Sequence, residues 1–315
     1  MNNILFLINA IFPLFVLVIL GNMIKTKGLI NDDTIKQVNA ICFKILIPCS
    51  LFKTIIKSNT SDGFDIRVVI FLIFSYIITA ALLSFVVPKF VKSKGSAGSL
   101  IHGSFRSNVV LLGIPLAQNI LGDAGGAQMA VSIAIVVPLF NVLGVIVLST
   151  FSENENHKPD FKHIAIDIIK NPLIIATFFG FFVSILKFPL PRIIMQPIVD
   201  LGACGTPLAM LMLGAGFSFK SAIGNRNLNI AGVLIKLVIM PFVMTTVAYF
   251  MGIRGIGLAV IYLTHASPSA ATAGMLAENM GCDGKLAGEI TLITTGLASV
   301  TIFAGSLILM NLGVF

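Results

Sequence analysis

The chain has little charge. Only 11% of its 315 residues are Asp, Glu, Lys or Arg, whereas water-soluble domains carry about a quarter, so a conventional soluble fold could not clothe its surface. The 21 Lys and Arg are scattered singly, and the formal net charge of +8 therefore forms no nucleic-acid-binding patch. Cysteine is scarce too: Cys42, Cys49, Cys204 and Cys282 show no Cys-x-x-Cys or Cys/His spacing, which argues against a disulfide framework or a metal site. There is no Walker loop, His-Glu-x-x-His, Gly-x-Ser-x-Gly or dinucleotide fingerprint, so neither an enzyme nor a cofactor is expected. The stretch from Gly126 to Phe151 holds no acidic residue, which disfavours a cation antiporter built on paired carboxylates in mid-membrane. The first apolar run, Ile4 to Ile24, lacks a basic leader and a small-residue cleavage site and reads as a membrane span rather than a removable signal.

What the chain does have is apolar length. With 57% hydrophobic residues and a mean hydropathy of +1.00, its solvent is a lipid bilayer. A helix needs about 20 apolar residues to cross, and this ruler gives ten stretches, at roughly 4–24, 35–56, 66–88, 97–121, 126–151, 164–186, 194–217, 228–251, 255–280 and 286–312. Polar, glycine-rich segments separate them, the most polar being Glu153-Asn-Glu-Asn-His-Lys-Pro-Asp160 at the middle of the chain. The expected class is an all-α, multi-pass membrane protein. Counting Lys and Arg in alternate loops gives twelve on one side, from Lys25 to Lys285, and six on the other: Lys53, Lys57, Arg67, Lys187, Arg192 and Arg254. Positive loops stay inside, so both termini are expected outside a cell membrane and the central loop in the cytoplasm.

Sliding the sequence against itself by 159 residues aligns Pro13 with Pro172, Gly21 with Gly180, Pro48 with Pro207, Gly98 with Gly257, Gly122 with Gly281 and Gly125 with Gly284. Roughly one such glycine coincidence is expected by chance. Each half then carries five spans, and an odd number inverts the second half relative to the first. The expected organisation is residues 1–152 as one five-helix repeat, 153–163 as a cytoplasmic linker and 164–315 as the inverted second repeat. Inverted repeats are a transporter architecture, because two such halves can open a central site alternately to either side.

Discontinuous helices mark such sites. The fourth stretch contains Arg106-Ser-Asn108-Val-Val-Leu-Leu-Gly113-Ile-Pro115, and its partner, the ninth, contains His265-Ala-Ser267-Pro268-Ser269. Under the 159-residue offset, Asn108 falls on Ser267. These residues are the candidate substrate contacts: Ser107, Asn108, Gly113 and Pro115 on one break, and Ser267, Pro268 and Ser269 on the other. Pro48 and Pro207 are expected to kink the second and seventh spans and bring Ser50 and Thr206 toward the cavity. Charged groups inside spans are few. Arg106 is weighed as an anion partner against a snorkelling surface residue, His265 as a proton carrier against a hydrogen-bonded structural histidine, and Lys44 and Lys236 as residues reaching an interface or pairing with Glu278 or Glu289.

Asn108-Val-Val-Leu-Leu-Gly-Ile-Pro-Leu, Leu46-Ile-Pro-Cys-Ser-Leu-Phe, Lys170-Asn-Pro and Thr206-Pro-Leu-Ala-Met-Leu-Met-Leu-Gly-Ala, in this order over most of the chain, resemble segments of the auxin efflux carrier family. That family includes the plant PIN-formed carriers and bacterial organic-acid (malonate) permeases. The resemblance implies ten helices in two inverted repeats, a fold related to bile-acid sodium symporters, with spans four and nine crossing at the substrate. It also implies a scaffold from spans one, two, six and seven, a moving domain from the rest, a homodimer, and an organic carboxylate at Asn108. Ser107 stands where plant members have proline, Ser267-Pro-Ser replaces an amide-containing break, and the central loop is short, all of which turn the expectation from auxin to the bacterial branch. The expected function is transport of a small organic anion, a malonate-like mono- or dicarboxylate, by alternating access, either facilitative or coupled to a proton or sodium ion. The alternatives are a strictly sodium-coupled symporter and a non-transporting membrane sensor.

Overall fold

The computed structural model describes residues 3–57, 65–153, 166, 170–186, 190–216, 226–270 and 272–314. The expected linker, from residue 154 on, lies outside them. In hydrocarbon every backbone N–H and C=O must be satisfied within the segment, which leaves helix as the default. The described residues form α1 (Asn3–Thr26), α2 (Asp32–Ile41), α3 (Ile47–Lys57), α4 (Ile66–Val86), α5 (Lys94–Phe105), α6 (Ile114–Thr150), α7 (Pro172–Leu186), α8 (Arg192–Ala215), α9 (Arg226–Leu234), α10 (Met240–Phe250), α11 (Gly255–Ala266), α12 (Ala273–Asn279) and α13 (Gly284–Asn311).

Among these residues seven helical stretches are long and apolar enough to cross a membrane, and Pro172–Ser184 and Gly255–Ala266 are shorter apolar helices. The expected sixth stretch, 164–186, lies partly outside the described residues, and for the fourth, fifth and ninth the difference from the ten expected has a physical reason. Val109–Thr150 runs as one stretch of 42 residues, which at 1.5 Å per residue would measure about 63 Å, twice the roughly 30 Å hydrocarbon core. Gly122 divides it, with φ 67 and ψ −161, a left-handed φ open to a residue without a Cβ. The ninth stretch is split into α11 and α12 by a non-helical segment, so neither part alone has spanning length. Large apolar side chains such as Phe12, Phe74, Phe85, Phe178 and Phe242 stand exposed on the helices, as lipid contact requires.

Three prolines carry a signature of their own. A π-helical turn precedes each: Cys42–Leu46 before Pro48, Val109–Gly113 before Pro115, and Ile235–Ile239 before Pro241. A proline ring collides with the carbonyl four residues earlier, which here is Lys44, Leu111 or Leu237, the centre of each turn. Widening the helix there moves the carbonyl aside, and the bond skips a residue, as when Ile47 N–H reaches Cys42 O and Met240 N–H reaches Ile235 O. Pro207, the expected counterpart of Pro48, lies instead within the uninterrupted helix α8.

The chain forms two compact units. The first holds Met1–Ile66, Val110–Ala134 and Ile166–Phe217. Its helix contacts are repeat-like: α1 packs on α8 and α3 on α7. Glycine sets the closest approach. A Cβ on Gly21 would lie 1.9 Å from Leu211 O, and one on Gly214 only 1.7 Å from Val18 O, so α1 and α8 meet backbone to backbone. Side-chain amides reinforce the packing: Asn119 Nδ2 donates to Ala10 O at 2.8 Å and Gln118 Nε2 to Thr54 Oγ1 at 2.6 Å.

The second unit holds Arg67–Val109, Ile135–Ala165 and Ser218–Phe315. In it α5 packs on α9, α12 and α13. The entry to α5 is pinned by turns: Glu153 Oε1 accepts from Ser93 Oγ at 3.1 Å and Gly95 N–H at 3.2 Å, while Asp283 Oδ2 accepts from Ser96 Oγ at 3.0 Å. Cys282, in the turn between α12 and α13, has its thiol pushed up to about 11, mainly by burial and further by the negative charges of Glu153 and Asp283.

Gly214→Ala is expected to lower stability by about 1–3 kcal/mol through backbone overpacking. Gly288→Ala, which meets nothing within 4 Å, serves as the neutral control in thermal unfolding of the detergent-solubilised protein. Maleimide labelling of Cys282 at neutral pH should run roughly a hundredfold slower than for an unperturbed thiol, and accelerate about tenfold per pH unit as the thiolate forms.

Candidate functional site

The second unit contains two helix interruptions, and they pair. Helix α5 ends at Phe105, and Arg106 leaves it with φ −74 and ψ 117. Helix α11 ends at Ala266, with Ser267 at φ −58 and ψ 138. The second stop follows from Pro268, which has no N–H to continue the helix and pushes its predecessor out of the α region. Extended backbone in a bilayer protein needs partners, and each break supplies them to the other. Ser107 and Ser269 form an antiparallel bridge, Asn108 N–H donates to Pro268 O at 2.7 Å, and Ala270 N–H to Arg106 O at 3.3 Å. Ser269 N–H donates to Thr294 Oγ1 on α13 at 3.2 Å, and Ser267 Oγ donates back to Leu263 O at 2.7 Å.

Side chains converge on this crossing. Lys236, in the π turn after α9 and only 1% exposed, donates to Ser107 Oγ and to His265 O, the latter at 3.2 Å. Tyr76 on α4 lies 3.2 Å from Ser107 Oγ and 3.2 Å from Thr264 O. A single arrangement of protons satisfies the chain: ammonium to Ser107 Oγ, Ser107 hydroxyl to Tyr76 Oη, and Tyr76 hydroxyl to the Thr264 carbonyl. His265 lies flat against Tyr76, centroids 4.5 Å apart and planes 7° apart. Its Nδ1 faces Ile261 O at 3.0 Å and carries the proton there, while Nε2 lies 3.2 Å from Ser75 Oγ, whose hydroxyl also lies within donating distance of Leu72 O at 3.0 Å. His265 is thus contacted on one face and at both ring nitrogens.

Two polar atoms at the crossing have no partner among the described residues: Asn108 Nδ2 and Ser269 Oγ. Asn108 is 7% exposed and Ser269 0%. A buried amide donor without an acceptor is costly, and here it adjoins a lysine with two of its three donors engaged. Among the described residues no carboxylate forms an ion pair with Lys236. Arg106 directs its guanidinium to Asn141 Oδ1 at 3.2 Å and toward His102 Nε2 at 3.5 Å, again without a carboxylate.

The other candidates are distributed differently. Ser50, Pro115 and Thr206 do come together in the first unit, but around a crevice of about 10 Å³ lined also by Ile47 and Ala209. That is room for about one water molecule and too little for a carboxylic acid. Gly113 and Pro48 are buried, with Gly113 closing a π turn, while Pro207 is exposed on α8 and Glu278 is exposed on α12. Lys236 does not seek an interface or Glu289, as its stem length allowed; its ammonium is used at the crossing, and Glu289 instead accepts from Asn229. Tyr76, Ser75 and Thr294 were not singled out from the sequence. Their signal was a polar group inside an apolar run, which is too common in membrane helices to choose among.

Long apolar helices with paired interruptions and a buried lysine that has no carboxylate partner among the described residues fit the class of multi-pass membrane transporters. The match to known proteins agrees: residues 6–304 fit the family described as membrane transport protein, and the chain belongs to that family of auxin-efflux-carrier-like transporters. It is 27% identical over 315 residues, covering 96% of this chain and 99% of the relative, to an uncharacterized transporter of Methanocaldococcus jannaschii. It is also 22% identical over 310 residues, covering 95% and 97%, to an uncharacterized transporter of Methanothermobacter thermautotrophicus. The chain is therefore a transporter and not an enzyme.

Tyr76→Phe keeps the ring stack but removes the hydroxyl that ties Ser107 to Thr264. It is expected to lower stability by about 1–3 kcal/mol, read as an earlier thermal transition in detergent.

Proposed function

We propose that the protein carries a small organic anion, a mono- or dicarboxylate of the malonate type, across the cell membrane by alternating access. In this reading the chain has ten spans in two inverted halves, residues 1–152 and 164–315, with both termini outside and two copies forming a dimer. The carrying observation is the unpartnered amide of Asn108 beside the crossing. A carboxylate is acceptor-only when ionised and would take up the free donors of Asn108 and Ser269 together with the remaining Lys236 proton. The uncompensated charges of Lys236 and Arg106 favour an anion over a cation or a neutral solute. Glycine and proline in corresponding positions of the two halves, and the repeat-like packing of α1 on α8 and α3 on α7, support the inverted arrangement.

Uptake of radiolabelled malonate and related dicarboxylates into vesicles tests this. Asn108→Ala should weaken apparent affinity by about 10- to 100-fold, the worth of one hydrogen bond to a charged group. Its melting temperature should hold, because the amide nitrogen it removes has no hydrogen-bond partner within the described residues. Unchanged transport kinetics in that variant would remove Asn108 from the site.

A further inference from the structure

A second buried polar pair lies away from the crossing. Glu289 on α13 is 2% exposed and Asn229 on α9 is 4% exposed. Asn229 Nδ2 donates to Glu289 Oε2 at 2.7 Å. The remaining oxygens, Glu289 Oε1 and Asn229 Oδ1, have no hydrogen-bond partner among the described residues. Reversing the amide would only set its oxygen against the carboxylate, so the observed orientation is the one chemistry allows. What is left is two acceptors on one facing pair and no donor for either.

We propose that Glu289 is the proton-binding site of the transporter, with Asn229 as its hydrogen-bond partner. One added proton makes the carboxyl a donor as well as an acceptor. The pair then completes the two-bond ring of an acid with an amide, satisfying both orphaned oxygens at once. A sodium ion would also be drawn to these oxygens, but two ligands fall well short of the oxygen shell a bare metal ion needs. The adjoining contacts are apolar: a Cβ on Gly232 would touch Ile290 and Leu100.

The surrounding charges leave the site to the proton. On the helices packed against α13, the side chains of Lys94, Arg226 and Glu278 are exposed, as is that of Lys285 on α13 itself. Lys236 and His265 are buried but engaged elsewhere, as is Tyr262, whose hydroxyl lies within donating distance of the carbonyls of Thr301 and Ile302, while buried His102 turns Nε2 toward Arg106 and its Nδ1 meets no partner among the described residues. Among the described residues none of them hydrogen-bonds or ion-pairs with Glu289.

Position links the pair to the crossing. Asn229 is the fourth residue of α9 and Glu289 the sixth of α13, so each lies within about 5–8 Å of its helix entry, close enough to water to exchange a proton. Seven residues after Asn229 comes Lys236, which holds Ser107, and five after Glu289 comes Thr294, which holds Ser269. Protonation tightens α9 against α13, the two segments that grip the two breaks. This coupling rests on the transport reading; proton binding itself does not.

The two claims separate experimentally. Infrared difference spectra of the protein in liposomes, taken between alkaline and mildly acid buffer with no substrate, should show a protonated-carboxyl component in the wild type that Glu289→Gln removes and that Asn229→Ala shifts to the higher frequency of a less hydrogen-bonded acid. Glu289→Gln keeps the ring with an N–H donor, so it should fold with an unchanged or higher melting temperature while losing malonate accumulation driven by a proton gradient. Identical carboxyl spectra in wild type and Glu289→Gln, no change of the lost component in Asn229→Ala, or a melting temperature that follows sodium instead of pH would overturn the proposal. If the wild type moves no carboxylate, the transport reading fails while the infrared result still stands or falls alone.

Discussion

The constraint on which this structure turns is that hydrocarbon offers no hydrogen bonds to an interrupted helix. Residues 106–108 and 267–270 leave helical geometry inside an apolar unit, and their amides and carbonyls must be met by protein. They meet each other, through Asn108 with Pro268 and Ala270 with Arg106. The rest follows from that exchange: Ser267 caps its own helix, Thr294 receives the amide of Ser269, and Tyr76 and Lys236 hold the Ser107 hydroxyl from two other helices. Interruption becomes tolerable only because two interruptions coincide.

The electrostatics of the crossing run in one direction. Lys236 is held by neutral oxygens, a hydroxyl and a carbonyl, which solvate an ammonium without cancelling its charge. Arg106 is treated the same way by the Asn141 amide. Apart from the His102 ring nitrogen 3.5 Å from Arg106, neutral oxygens of this kind are the only acceptors these two side chains have among the described residues. The carboxylate of Glu289 is tied to the neutral amide of Asn229, and among the described residues it makes no hydrogen bond or ion pair with either cation.

Much of this was legible before the coordinates. Hydropathy located the helices, Ser-Pro-Ser located the second break, and the repeat offset carried Asn108 onto that break. Asn108 and Ser267 do lie in the two paired interruptions. Less legible was anything that depends on which face of a helix points inward. Lys236 has a stem long enough for several destinations, and sequence cannot choose among them; packing chose Ser107. Pro207 and Pro48 occupy matching positions, yet only Pro48 widens its helix, because the effect depends on the backbone around the ring and not on proline alone. The pairing of Glu289 with Asn229, 60 residues away, had no local signal at all.

The π turns ahead of Pro48, Pro115 and Pro241 also reach beyond their own residues. Those before Pro48 and Pro241 lie between two helical segments, and each inserts one residue into a helical repeat of 3.6, so every side chain beyond it is rotated by about 100° relative to an unbroken helix. The apolar stripe before the turn and the one after it therefore look out in different directions, and a single helix serves two neighbours. Tolerance to polar replacement along these segments should accordingly change phase at residues 42–46 and 235–239, a discontinuity that a plain helical wheel drawn through the whole segment would average away.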